Sequence, residues 1–260
     1  MERALQILGC FDDEHPERGV SEIAQALGLH KATTHRIVTT LFSYGFLERA
    51  EHGHRYRLGM RLANMGYMVM RRTDLRREAV PIMTDLAARL DETCDLSVYS
   101  RGVVYFIEVV RGSRALAVAA DVGRSLPIHT SASGKVILAY VPEAESEVAL
   151  DEPLVAHTHR TITRPAELRR QLDIVRSQGF AVDDEELELG VRAVSAPVRD
   201  REGNVIAALC VSCPTSRLPL DRIPFVAAEV RQAADAISAR LGWHTWSSVP
   251  SSGPTTRSVS

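Results

Sequence analysis

Residues 21–47 read SEIAQALGLHKATTHRIVTTLFSYGFL, and this stretch decides the fold of the first part of the chain. Ser21 precedes EIAQAL, and a serine oxygen can accept an orphan backbone N–H at a helix start, so the reading places a short helix here with Ser21 as its cap. Gly28 ends it. A second helix is expected from His30 to Tyr44, with Ile37, Leu41 and Tyr44 on one face and Gly45 as its stop. Ala24, Leu27 and Ile37 are expected to hold the two helices together. Upstream, residues 2–11 (ERALQILGCF) space Ala4, Leu5, Leu8 and Phe11 as a helical stripe, and DDEHPERG follows as a polar loop. Downstream, LERAEHGHRYRLG gives a short apolar entry, a polar turn around Gly53 and an alternating RYRL exit, as in a β-hairpin. Helix, helix, tight turn, helix and hairpin is the order of a winged helix-turn-helix.

That module has a chemistry as well as an order. Residues 30–73 hold eight Arg/Lys against two Asp/Glu, a net +6, whereas residues 74–260 are net −4. A basic segment on an otherwise acidic chain is the electrostatic footprint of a nucleic-acid-binding module; a solvated helix face has the same composition. The first turn of the second helix carries Lys31, Thr33, Thr34, His35 and Arg36, short or cationic donors suited to phosphates and base edges. Arg55 and Arg57 fall on one face of the exit strand and are expected to meet the duplex as a wing.

The 260 residues are 45% hydrophobic and 25% charged, ordinary for a globular chain of one or two domains. No apolar run reaches about 18 residues, so no membrane partner is expected. The first residues lack a basic region followed by an apolar stretch and do not read as a signal peptide. Four cysteines are too few for a disulfide scaffold, and a reduced, cytoplasmic protein is expected. Of 31 basic residues only Lys31 and Lys135 are lysine.

Residues 59–72 form a Met-rich amphipathic stretch, which reads as a linker helix suited to a core or a dimer contact. Asp74 can cap a further helix, LRREAVPIMTDLAARLDE, with Pro81 as a point of kinking. From residue 94 the pattern turns to strands: CDLSVYS and VVYFIEVV as a hairpin through an RG turn, then ALAVAA as another short strand. GRSLPIHTSASGKVILAYV runs from loop into helix, EAESEVAL and RPAELRRQLDIVRSQG are helical, and Gly179 ends the latter. FAVDDEELELGVRAVSAPVRD holds two strands about an acidic turn, REGNVIAALCVSCP is a strand, and DRIPFVAAEVRQAADAISARLGW is a closing helix. Strands and helices without regular βαβ alternation predict an α+β domain, an antiparallel sheet with flanking helices. The divisions expected are 1–58, 59–73, 74–246 and a Ser/Thr/Pro/Gly-rich disordered tail at 247–260.

With these pieces in order, the chain resembles the IclR family of bacterial transcriptional regulators. The resemblance spans residues 2–243 and rests on ERALQIL, on SEIAQALGLHKATTHRIVTTL with its wing, on LPIHTSASGKVILA, on GFAVDDEELELGVRAVSAPVRD and on GNVIAALCVSCP. It implies a GAF/PAS-like C-terminal domain that binds a small organic effector. It also implies a homodimer or homotetramer on a double-stranded DNA operator. In the family the turn before SASGKVILA presents backbone N–H groups to a ligand carboxylate; here these belong to Ala132 and Ser133, next to Gly134. A helix N-terminus favours anions on its own physics. Asp183 matches a ligand-facing acid, Ser212 a hydroxyl on the opposite strand, and Val118 and Leu126 apolar walls. Two positions depart from the pattern: Ala193 stands where cysteine is frequent and Cys210 where serine is frequent. Such a pocket leans toward a larger or more apolar organic acid, aromatic acids among them.

The residues leave other readings open. Asp183 to Glu186 also reads as a solvated turn, Ser131 and Ser133 as helix caps, and His129 as a satisfied structural histidine. Cys210-x-x-Cys213 invites a metal, but one pair three apart on a strand faces opposite ways, so no metal and no cofactor is expected. An enzyme acting on a small carboxylate, with an appended helix-turn-helix, is the rival. SASGKV has His129 and Val136 where a phosphate loop needs glycine and Ser/Thr, and Ala132 where a Ser-x-x-Lys nucleophile needs serine.

Overall fold

The computed structural model describes residues 2–12, 14–50, 54–71, 74–100, 103–151 and 153–243, without the side chains of 66–71, 74 and 145. The turn around Gly53, the RG turn at 101–102 and the tail at 247–260 lie outside these residues, as do the side chains of most of the Met-rich stripe and of Asp74. Chain contacts divide the protein into two compact units, Met1–Thr73 and Asp74–Ser260.

In the first unit, α1 (Glu2–Leu8) is followed by β1 (Arg18–Gly19), α2 (Val20–Ala26), α3 (Lys31–Ser43), β2 (Leu47–Arg49), β3 (Arg55–Leu58) and α4 (Met60–Arg71). The strands form an antiparallel sheet in the order β1-β3-β2. Sequence reading missed β1, which lies inside the polar loop and adds itself to the edge of the hairpin. Ile7, Phe11, Ile23, Val38, Leu41, Leu47 and Tyr56 make the core, with Leu27 and Ile37 packed beside it. Tyr44, expected on the apolar face, is exposed. Nor is Ser21 the cap of α2. Gly19 takes that place, and the Glu22 carboxylate three residues on accepts its N–H at 2.8 Å, so the helix begins two residues earlier.

In the second unit, α5 (Asp74–Leu90) runs unbroken past Pro81. Then come β4 (Thr93–Ser100), β5 (Val103–Val110), β6 (Ser125–Leu126), α6 (Ala132–Tyr140), α7 (Glu143–Asp151) and α8 (Pro165–Gln178), followed by β7 (Ala181–Asp184), β8 (Val191–Arg199), β9 (Val205–Pro214), a 3₁₀ turn and α9 (Ile223–Arg240). The six strands form one antiparallel sheet in the order β6-β5-β4-β9-β8-β7. Gly179 closes α8 with φ 76°, a left-handed cap that glycine adopts without steric cost.

Strand side chains alternate, and the sheet is buried on both faces. Cys94 and Leu96 of β4, Val194, Ala196 and Val198 of β8, and Ala207, Leu209, Val211 and Cys213 of β9 pack against α5 and α9. The intervening residues face the other way, toward α6 and α8. Two rows on that face matter for the site. Thr93, Ser212, Ala193 and Asp183 are register partners across β4, β9, β8 and β7; Asp95, Cys210, Ser195 and Ala181 form the adjacent row.

The expected strand ALAVAA does not form. Its carbonyls are taken by side chains instead of a ladder: Thr93 Oγ1 donates to Val118 O, the Arg124 guanidinium to Ala119 O and the Arg111 guanidinium to Ala120 O. The edge of β5 is paired by β6.

Candidate nucleic-acid interface and ligand cavity

On α3, Lys31, Ala32, His35, Arg36 and Thr39 are exposed, and Thr33 is half-buried. Lys31, His35 and Thr39 recur every four residues and therefore share one face, with Arg36 beside them. Thr34 is not part of it. Its side chain is fully buried and its hydroxyl donates back to His30 O at 3.2 Å, so it packs α3 into the unit and cannot reach a duplex. The expectation failed because Thr34 lies one residue off the outward face, where short polar side chains serve equally as helix-internal donors.

Arg55 and Arg57 both point outward from β3 around buried Tyr56. Arg55 is already engaged, donating to Glu22 Oε1 at 2.9 Å and Glu17 O at 2.8 Å, so it ties the start of α2 to the hairpin. Arg57 stands 3.7 Å from Glu48, its register partner. Such exposed pairs are weak and can be exchanged for phosphate.

The second unit has a cavity between the first turn of α6, the inner sheet face and the segment 118–126. It encloses about 50 Å³, with further space at its open mouth. Val118, Leu126, Ala132, Ser133, Asp183, Ala193, Cys210 and Ser212 all line it. Gly134 does not. Its N–H is accepted by Ser131 Oγ at 3.0 Å, which makes Ser131 the cap of α6. A Cβ at Gly134 would stand 2.0 Å from Ile128 O, so glycine is needed there for close backbone approach. The N–H groups of Ala132 and Ser133 find no acceptor among the described residues, and both residues border the cavity. Sequence reading missed Asp95, Phe106, Arg124, Leu187 and Val191.

Asp183 has two roles. Its Oδ1 accepts the N–H of Glu186 at 2.8 Å, and Leu187 N lies at 3.4 Å, so it closes the acidic turn while its side chain borders the cavity. Burial raises its carboxyl to about 6, against the lowering influence of nearby Lys135. Lys135 is itself buried, donating to Val182 O at 2.5 Å and paired with Glu186. Burial also raises the Glu186 carboxyl. Thr158 and Thr161 donate to Glu185 O and Glu186 O, tying the turn to the preceding loop. Ser133 Oγ lies 3.3 Å from Ser195 Oγ, which seats α6 on the sheet. His129 has Val155 O at 3.0 Å, a structural contact. Cys210 and Cys213 point to opposite faces of β9 and are free thiols.

A three-stranded winged helix-turn-helix with an outward cationic helix, in one chain with a small-molecule cavity under a helix N-terminus, defines the class of ligand-responsive transcription factors. Residues 67–239 match the family described as bacterial transcriptional regulator IclR C-terminal, and residues 1–51 match the IclR helix-turn-helix domain. The chain belongs to the IclR family of transcriptional regulators and carries that family's DNA-binding and effector-binding domains. It is 35% identical to the HTH-type transcriptional regulator XynR of Escherichia coli K12 over 94% of this chain and 97% of that one. A Silicibacter sp. TM1040 IclR regulator superposes with a TM-score of 0.83 at 27% identity, covering 98% of this chain and 99% of that one. An IclR homologue of Microbacterium hydrocarbonoxydans, complexed with 4-hydroxybenzoate, superposes with a TM-score of 0.80 at 30% identity, covering 92% and 97%. Among the described residues, no helix is long and apolar enough to cross a membrane.

Proposed function

We infer that this regulator acts in the cytoplasm as a homodimer or homotetramer on a pseudo-palindromic duplex operator, and that a small carboxylic acid changes its operator affinity. The effector's carboxylate meets the N–H groups of Ala132 and Ser133, where the positive end of α6 favours an anion. Its body lies against Phe106, Val118, Leu126 and Val191, and a hydroxyl donates to Asp183. The observation that carries this reading is the cavity itself, with unused donors on one wall, a buried acid on another and apolar sides between them. The 4-hydroxybenzoate held by the Microbacterium homologue has the same parts, a carboxylate, an apolar ring and a hydroxyl.

Asp183→Asn tests the ligand side. Asparagine keeps an oxygen for the Glu186 N–H and puts a donor where the cavity had an acceptor. Titration calorimetry with 4-hydroxybenzoate should show about tenfold weaker binding, the loss of one hydrogen bond to a charged group; unchanged binding would remove Asp183 from the site. Arg36→Ala tests the DNA side. On a duplex selected from a random pool it should cost about 1–3 kcal/mol if Arg36 reads a base edge, with far less loss on random DNA. Equal losses on both would make Arg36 a phosphate contact.

A further inference from the structure

Asp95 is the one cavity residue whose presence the fold does not account for. It sits on β4, is 1% exposed and lines the cavity. Glu92 is held by both arms of Arg217, Glu186 by Lys135, and Asp184 by Arg160 and Arg192, while buried Asp183 has the backbone N–H groups of the acidic turn and Lys135 nearby. Asp95 has the Ser97 hydroxyl at 3.1 Å and the neighbouring Cys210 thiol, and no cation is among the groups that act on its carboxyl. A buried carboxyl with so few partners is costly, and an apolar or amide side chain would fit the same strand position more cheaply. Burial raises the carboxyl to about 7. A ligand carboxylate beside it would raise it further, whereas a ligand hydroxyl would favour its ionised form.

The placement says which part of a ligand it would meet. Asp95 and Asp183 stand on the same sheet face, at the β4 end of one row and the β7 end of the next. The first turn of α6 lies between them, with Ala132 packed on Ala193 and Cys210. An acid docked by its carboxylate on that turn thus has an acceptor on each flank. Asp95 shares its flank with Phe106 and Val118, and Asp183 shares the other with Leu187 and Val191.

We propose that Asp95 is a specificity-determining residue of the effector site, selecting carboxylic acids that carry a second hydrogen-bond donor on the β4 flank, such as a dihydroxylated aromatic acid. This rests on the acid-effector reading above and adds a second donor requirement to it.

The test is titration calorimetry of the full-length protein with benzoate, 4-hydroxybenzoate and the dihydroxybenzoate isomers, on the wild type, Asp95→Ala and Asp95→Asn. At least one dihydroxybenzoate should bind the wild type tenfold or more tighter than 4-hydroxybenzoate. In Asp95→Ala that ratio should fall to within about twofold of one. Asp95→Asn keeps the shape of the site, so a reduced ratio in a variant that melts no lower than the wild type excludes collapse of the strand. A ratio that survives Asp95→Ala, or a wild type that binds no dihydroxybenzoate tighter than 4-hydroxybenzoate, overturns the assignment of Asp95. If none of these acids binds the wild type at all, the acid-effector reading falls and the role of Asp95 falls with it.

Discussion

Lys135→Met is expected to destabilise the second unit by about 3–5 kcal/mol. Lys135 is 2% exposed and Glu186 7%, and the two form an ion pair beneath the acidic turn. Glu186 Oε2 has no hydrogen-bond partner among the described residues. Removing the ammonium strands a buried carboxylate and releases the carbonyl of Val182, which accepts from the same Nζ. Breaking such a pair costs far more than replacing it, because the remaining charge keeps its full desolvation penalty. Thermal unfolding should show a midpoint lower by roughly 10 °C for the transition of this unit. The double variant Lys135→Met/Glu186→Leu should recover most of the loss. A double variant no more stable than Lys135→Met would show that Lys135 acts through the Val182 carbonyl or by packing. Lys135 also lowers the carboxyl of Asp183, so the single variant should hold Asp183 protonated to higher pH.

Asp95→Asn should make the protein more stable at pH 7.5, and by more than at pH 4.5. The carboxyl rises from 3.8 to about 7 in the folded chain because burial disfavours its charge. The folded state therefore holds this proton more tightly than the unfolded state. Its contribution is fully present below pH 4 and is lost as pH rises to 7. About three pKa units correspond to roughly 4 kcal/mol across that window. Asp183, raised to about 6, acts in the same direction over a narrower range. Asparagine removes the term belonging to residue 95 and leaves the other groups in place, so the difference between the two proteins isolates it. Urea unfolding at the two pH values provides the measurement. Parallel stability profiles for wild type and variant would falsify the burial account of Asp95.

Much of this was legible in the sequence, because the signals were local. The 3.6-residue spacing of apolar residues, Gly28, Gly45 and Gly179 as stops, and the alternation in RYRL and VVYFIEVV define elements without reference to the rest of the chain. The errors occurred where a tertiary partner decides. Ser21 lost its capping role to Glu22, which reaches back to Gly19. Thr34 turned inward by the rotation of one residue along α3. The segment ALAVAA has strand composition but no free edge, because β6 occupies β5 and the side chains of Thr93, Arg111 and Arg124 hold its carbonyls. Gly134 looked like part of the ligand turn, yet it is required by Ile128 O on the other side of the helix.

The cavity was legible in a different way. Eight of its lining residues came through likeness to a family pattern, since nothing local brings Val118, Ala132, Asp183 and Ser212 together. Asp95 escaped for the same reason. CDLSVYS reads as an ordinary alternating strand, and only its pairing with β9, more than a hundred residues away, turns Asp95 onto the face that carries Cys210.

The proposed function requires that the cavity and the DNA-binding helix be energetically coupled. Fluorescence anisotropy on a labelled duplex, selected from a random pool by the full-length protein, measures this with and without the hydroxybenzoate that calorimetry ranks tightest. The acid should change the duplex Kd by at least about fivefold, and saturating duplex should change the Kd of the acid by the same factor, as linkage requires. An acid that binds in the cavity and leaves the duplex Kd unchanged would contradict that coupling.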